Sequence, residues 1–540
     1  MKKFSEINYE RINISSIKSR LTKNYLSFRF SDDLDRKINS IHELIKCEDE
    51  LDTAFLLASI RAKLKPNDKY YQLEMDFYLR EIPTLASIQS KFAAAIVKSK
   101  CIKEIEKKFG RDFILSKTSE ALMRNRKVVN NYYFENQLKQ RYMSMLSNPN
   151  LGFSSGGDKS SVVDILDQMT SKSESRRKRA YEDLNLLLID NISKFVIFDD
   201  EFRNNRKKIA AKLGYSNYIE YVDALNQRLD FHRDCIQNFR NGIVNEIVPV
   251  AHNYWNEFYR LKELKTGYYY NENYLVSSEN KRICESTNEL KKIIALFFQL
   301  AGQEFKEFYK DLEENELFQV TVGDKNAFPC SNAYLPSFNE PIIYGRIYGT
   351  CADIASVLQD LGEAYWKCLK DKSSSKVNLS GKNMEQAISF VFELISVKYA
   401  SKLFGNNANN YIRVVMINYL NSIIYDAMLD EYHEYLYEGK CNNYKDQCEK
   451  WLELQKKYIP WREYGDGKFF SKGAGWCVDT QAMLSPFQQI DYAYSAILAL
   501  SLLNKNNKAE IDKADDLPTE DNINDTIQSA VIALKELIKG

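Results

Sequence analysis

The chain has 540 residues, with 75 Lys and Arg against 74 Asp and Glu, and a formal net charge of +1. That balance provides no bulk attraction to nucleic acid or an anionic membrane, so neither is expected as a partner. The length is ample for a large buried core in two lobes.

The start, MKKFSEINYERINI, has a basic tip with no apolar run behind it, so no signal peptide is expected. From about Asp33 to Asn148 the pattern predicts a series of amphipathic helices, with a stripe such as Leu51, Phe55, Ile60 and Leu64. Leu151 to Ser161 (LGFSSGGDKSS) reads as a Gly/Ser-rich loop. Helical signal resumes at Val162 and continues to about Tyr309. Leu317 to Tyr348 differs: LFQVTV and PIIYGRIY are rich in β-formers and separated by turn residues, which predicts a small sheet or hairpin.

Gly349 to Trp366 (GTCADIASVLQDLGEAYW) returns to helical spacing. Thr350 and Asp353 have the spacing of a capping box, and Ile354, Val357, Leu358, Leu361 and Tyr365 form one apolar stripe. Further helices are predicted over Met384–Leu403, Tyr411–Tyr437, Cys441–Lys457 and Ile490–Leu503. Asn504–Asp525 reads as a polar, acidic linker before a last helix at Thr526–Ile538. The apolar runs Ile293–Ala301 and Tyr492–Leu503 are too short to span a bilayer. Ten cysteines without CxxC pairs point to reduced thiols and a cytoplasmic protein. The four histidines, His42, His232, His252 and His433, include no pair at metal-ligand spacing on one helix. The richness in Lys, Asn, Ile and Tyr points to an AT-rich genome.

Several segments carry a family resemblance. Arg206–Tyr218 (RKKIAAKLGYSNY), Arg228, Phe239-Arg240 and Val248-Pro249, with Ser175–Ala180 (SRRKRA) before them, resemble the oligoendopeptidase F and thimet oligopeptidase family of zinc metallopeptidases, closest to its compact bacterial clade. The likeness covers nearly the whole chain. It implies a mostly α-helical, two-lobed, peptidase-like fold enclosing a deep channel, with a small β element beside the former active site. The implied division is an N-terminal helical lobe at 1–160 and a peptidase-like lobe at 161–505. The latter holds the sheet at about 317–348 and the zinc helix at 350–370; residues 506–540 are linker and terminal helix.

By the same resemblance, Gly349-Thr350 and Asp353 lead into the zinc helix, so Gln359 and Glu363 fall at the two HExxH histidines and Asp360 at the catalytic glutamate. The third ligand falls at Gln386, in the frame Gln386-Ala-Ile-Ser389-Phe-Val-Phe-Glu393. Near the C-terminus PFQQIDY (Pro486–Tyr492) replaces PFYYIDY, which puts Gln488 and Gln489 at tyrosine donors and Gln481 at a histidine. Gly323–Cys330 lacks the family's Gly-rich substrate-edge segment, and the tail after Leu503 lacks its Gly-Gly-Ser loop. Asp353 and Glu393 are implied to support the ligands from behind, and Tyr344 and Tyr492 are candidate ligand contacts.

Two histidines at i and i+4 reach one zinc ion, and the glutamate between them acts as base on its water. An amide oxygen is a poor zinc ligand beside imidazole, and one carboxylate does not replace two nitrogens. Neither zinc, another cofactor nor zinc peptidase activity is therefore expected. A hard cation would need more converging carboxylates than this set offers, so a polar network filling the vacated cavity is the expected local arrangement. Cys330, Cys351 and Cys477 lack a histidine nearby in sequence and read as structural thiols. The leading expectation is a pseudopeptidase that binds a peptide or protein partner in the family channel. The alternatives are an accessory subunit of an active homologue, an enzyme repurposing carboxylates of the old cleft, or residual peptide hydrolysis.

Overall fold

With 20 glycines and 10 prolines in 540 residues, long stretches of chain are free to close i to i−4 hydrogen bonds. The computed structural model is accordingly helical over most of its length. It describes residues 3–148, 152–153, 159–226, 228, 233–264, 267–324, 327–372, 382–441, 443–504 and 523–539. Among these, no helix is long and apolar enough to cross a membrane.

The chain divides into two units, each drawn from separated stretches of sequence. The first takes the described residues of Met1–Arg126 and Arg282–Asn409. The second takes those of Lys127–Lys281, Asn410–Asn506 and Pro518–Gly540. These units are drawn differently from a division at 160 and 505: the sheet packs against the N-terminal helix Leu34–Leu64, and the helix after it packs on the sheet. Helical periodicity shows which face of an element is apolar but not which neighbour covers it.

In the first unit, Ile14–Phe30 and Leu34–Leu64 form a helical pair whose starts are capped by Asn13 and Asp33. Their core includes Ile17, Leu21, Phe28, Ile41, Leu44 and Phe92. Of the expected stripe, Leu51 and Ile60 are buried and Phe55 and Leu64 partly so. Three strands follow: β1 (Phe318–Val322), β2 (Phe328–Leu335) and β3 (Glu340–Ile347). β3 lies in the middle, parallel to β1 and antiparallel to β2, with Asn332 opposite Ile343 and Ser331 opposite Tyr344. β2 packs against the central helix (Cys351–Lys372) and against Leu34–Leu64.

Gly349 makes the turn into the central helix. Its φ is +81°, and a Cβ there would meet the Cys284 carbonyl at 2.1 Å. Its own carbonyl accepts from Ile283 N at 2.8 Å and Cys284 N at 3.1 Å. Only glycine suits both demands.

In the second unit, Ile490–Asn504 packs along Ile523–Lys539. Gly152–Phe153 pairs antiparallel with Lys159–Ser160 within the expected Gly/Ser loop. The rest of that loop, 151 and 154–158, and residues 505–522 of the expected linker lie outside the described residues.

Candidate functional site

The central helix starts with the reciprocal cap that its spacing suggests. Thr350 N donates to Asp353 Oδ2 at 3.0 Å and Asp353 N to Thr350 Oγ1 at 3.3 Å. Ile354, Val357, Leu358, Leu361 and Tyr365 are all buried, and the Tyr365 ring packs on Phe305 and Phe392. At Gly362 a Cβ would lie 2.9 Å from both Ile388 O and Ser389 Cα. The missing side chain lets the facing helix (Lys382–Lys398) approach at this turn.

That approach sets Gln359 against polar groups of the facing helix. Gln359 Nε2 donates to Glu393 Oε2 at 2.8 Å, and Ser389 Oγ donates to the Gln359 carbonyl at 2.9 Å. Glu393 is 5% exposed. Burial pushes its carboxyl up to about 7, and the Gln359 hydrogen bond only partly offsets this.

Asp360 and Glu363 turn instead toward β2. Asn332 Nδ2 donates to Asp360 Oδ1 and to Glu363 Oε2, each at 2.9 Å. Lys367 Nζ donates to Glu363 Oε1 at 2.7 Å and to Asn332 Oδ1 at 3.2 Å, and lies 3.1 Å from Glu385 Oε1. An ammonium has three N–H donors, and three oxygens surround this one.

The carboxyls differ in their protonation. Burial is the largest influence on Glu363 and would raise it, but hydrogen bonds with Glu385 and Lys367 outweigh it and hold Glu363 below the ordinary range. Burial and then the Glu363 partner push Glu385 up. Burial also raises Asp360, against the pull of Asn332 and the Cys330 thiol. Asp360 Oδ2 is buried without a hydrogen-bond partner. The Cys330 thiol is itself raised well above its ordinary value, first by burial and then by Asp360. It is therefore not held as a reactive thiolate.

Of the remaining expected site residues in this unit, Gln386 is half-buried. Tyr344 is on the middle strand, 6% exposed, with Lys63 Nζ over its ring. Cys351 is fully buried.

The zinc that the resemblance implies does not fit these residues. Both Glu363 oxygens and Asp360 Oδ1 are engaged by Asn332 and Lys367, and the Gln359 amide is turned to Glu393. A cationic ammonium beside Glu363 further opposes a divalent ion there. Among the described residues no three His, Cys, Asp or Glu side chains are grouped to hold a metal.

The second unit positions the other expected donors. Asp479 caps the short helix Thr480–Leu484, accepting from Ala482 N at 2.7 Å, and also accepts from the Tyr425 hydroxyl. Gln481, Gln488 and Tyr492 are exposed, whereas Gln489 is buried and its Oε1 has no hydrogen-bond partner. Two buried arginines of the resemblance segments hold this stretch. Arg206 donates to Met483 O at 2.8 Å, Tyr437 OH at 3.0 Å and Glu135 Oε1 at 2.8 Å. Arg228 holds Asp491 in two bonds, at 2.8 and 2.7 Å, and donates to Phe487 O. Phe487 has a φ of +63°, so this turn is fixed in an unusual conformation by its neighbours. Burial pushes the Cys477 thiol well above its ordinary value.

Asn332, Lys367 and Glu385 are site residues that the sequence reading misses. One signal for them was available: Glu363 and Lys367 stand at i and i+4, a favourable helical ion-pair spacing.

Comparison with known proteins bears on the fold that carries these residues. Residues 4–121 match the family model for the Peptidase M3 N-terminal domain. No curated protein matches the chain. A solved structure of PZ peptidase A with an inhibitor is 20% identical, with 100% of this chain and 99% of that one covered and a TM-score of 0.78. A structure assigned as oligoendopeptidase F from Bacillus anthracis str. Ames is 21% identical, covering 100% and 97%, with a TM-score of 0.72. Oligoendopeptidase-F from Enterococcus faecium is 12% identical, covering 97% and 98%, with a TM-score of 0.55.

Proposed function

For a chain with a Peptidase M3 N-terminal domain on an oligoendopeptidase F fold, we propose a pseudopeptidase that binds a peptide or protein partner in the family channel without cleaving it. One observation carries the loss of catalysis: the residues at the HExxH positions are bonded to Glu393, Asn332 and Lys367 rather than turned together toward one point. Zinc hydrolysis needs three protein ligands and an open fourth position, and this arrangement supports neither. Binding is supported by the fold, which is otherwise kept along the full chain.

The test combines fluorogenic peptide hydrolysis, with added zinc and with chelator, and anisotropy of labelled peptides. The reading expects saturable binding and no zinc-dependent cleavage. Cleavage that zinc restores and chelator removes would overturn it, as would an absence of binding to peptides and to protein partners from the native host.

A second reading has its own observation. Asp360 and Glu385 are both shifted toward the protonated form, burial being the first cause for each. Displaced carboxyls of this kind suit acid–base work. A repurposed enzyme would lose its turnover in Asp360→Asn while keeping its fold.

A further inference from the structure

We propose that Lys367 is a tethered cation standing in structurally for a metal ion in the first unit. The inference rests on the zinc-free reading above, and extends it from the missing ligands to what has replaced the ion.

The geometry around Lys367 is that of a small coordination centre. Oxygens of Glu363, Glu385 and Asn332 surround Nζ at 2.7, 3.1 and 3.2 Å. They come from three elements: the central helix, the facing helix and β2. Asn332 closes the arrangement by turning both amide hydrogens to Asp360 and Glu363. A metal ion on such a fold crosslinks segments that are remote in sequence, and here an ammonium on a side-chain tether makes the same crosslinks.

Charge supports the assignment. Asp360 and Glu363 share Asn332, Glu363 and Glu385 share Lys367, and without a cation ionised carboxylates held this close would repel one another. The Lys367 ammonium lies 2.7 Å from Glu363 and 3.1 Å from Glu385, close enough to offset both carboxylates. Because the cation is covalently attached, the contact between the two helices and the strand holds without metal. The lysine also excludes a diffusible ion from the carboxylates it neutralises.

Removing the tethered charge while keeping the stem should therefore uncover a cation site. The oxygen donors left behind suit a hard ion such as Mn2+ rather than zinc. The experiment titrates Mn2+ alone into the natural chain, Lys367→Met and Lys367→Met/Glu385→Gln by calorimetry, and follows thermal melting of each with and without chelator. The natural chain is expected to take up no Mn2+ at this site and to melt at the same temperature in chelator. Lys367→Met is expected to melt lower, to gain a single-site Mn2+ isotherm and to recover part of its melting temperature with Mn2+. The double variant, with one carboxylate fewer, should bind Mn2+ more weakly and melt above Lys367→Met in chelator.

If Lys367→Met fails to fold, the double variant still decides, because relief of repulsion should restore folding. The inference is overturned if Lys367→Met melts like the natural chain and binds no Mn2+, or if the double variant is no more stable than the single one. Stoichiometric zinc on the natural chain would instead overturn the functional reading on which it rests.

Discussion

Gln359 and Glu393 form a single hydrogen bond, 2.8 Å long, between the central and facing helices of the first unit. The first falls, by the family resemblance, at a histidine position; the second is a buried carboxyl whose value rises from the ordinary 4.5 to about 7, chiefly through burial. A carboxyl raised in the folded state stabilises most below its unfolded value, and that contribution fades as pH rises toward the folded one.

The first expected outcome follows from that sign. Glu393 should make the natural chain lose stability between about pH 4.5 and about pH 7, on the order of 3 kcal/mol at most for a shift of this size. Glu393→Gln keeps an acceptor for Gln359 and removes the charge. Its stability relative to the natural chain should improve across that window. Denaturant midpoints at pH 5 and pH 8 measure this, and equal differences at the two values would contradict it.

His433 gives the opposite slope in the second unit. Burial lowers it from 6.5 to about 4. Its ring accepts from Phe487 N at 3.4 Å through Nδ1 and meets Ala482 O at 2.9 Å through Nε2. A depressed base stabilises above its unfolded value and loses that contribution as pH falls toward the folded one. His433→Gln should therefore flatten the acid side of the stability profile between pH 6.5 and pH 4. The same profile measured on Glu393→Gln should flatten in the other direction.

Gly362 is expected to resist even alanine. The atoms a Cβ would meet, Ile388 O and Ser389 Cα, are backbone and cannot rotate aside. Overpacking of this kind costs about 1–3 kcal/mol, and the better helix propensity of Ala offsets at most about 1 kcal/mol. Gly362→Ala should thus destabilise the first unit in denaturant melts. A neutral or stabilising change would show that the two helices can separate freely.

Arg228 holds a strained turn. Removing it leaves Asp491 without its paired bonds and the Phe487 carbonyl without this donor. Breaking a buried pair costs about 3–5 kcal/mol, and the 21% exposure of the Asp491 side chain puts this one toward the lower end. Arg228→Ala should be more destabilising than Arg228→Ala/Asp491→Asn, and a double-mutant cycle measures the coupling.

Much of the fold is legible in the sequence because it depends on local pattern. The apolar stripe from Ile354 to Tyr365, the Thr350–Asp353 cap and the strands of 317–348 all follow from spacing within one element. The pairing of distant segments does not. Nothing in the sequence places 282–409 with the N-terminal helices, because periodicity does not name a partner. The site divides in the same way. Gln359, Asp360 and Glu363 stand out against the family frame. Asn332 and Glu385 meet Lys367 only through tertiary packing, and the Glu363–Lys367 spacing alone resembles an ordinary surface ion pair. Strand alternation does not reveal that β3, which carries Tyr344, is the middle strand.

The most direct test of the central claim is the metal content of the purified chain after incubation with excess zinc and desalting. The account expects no stoichiometric zinc, with the metal washing away from the unmodified protein. One zinc per chain, retained through desalting and lost when Glu363 is replaced by Gln, would contradict it.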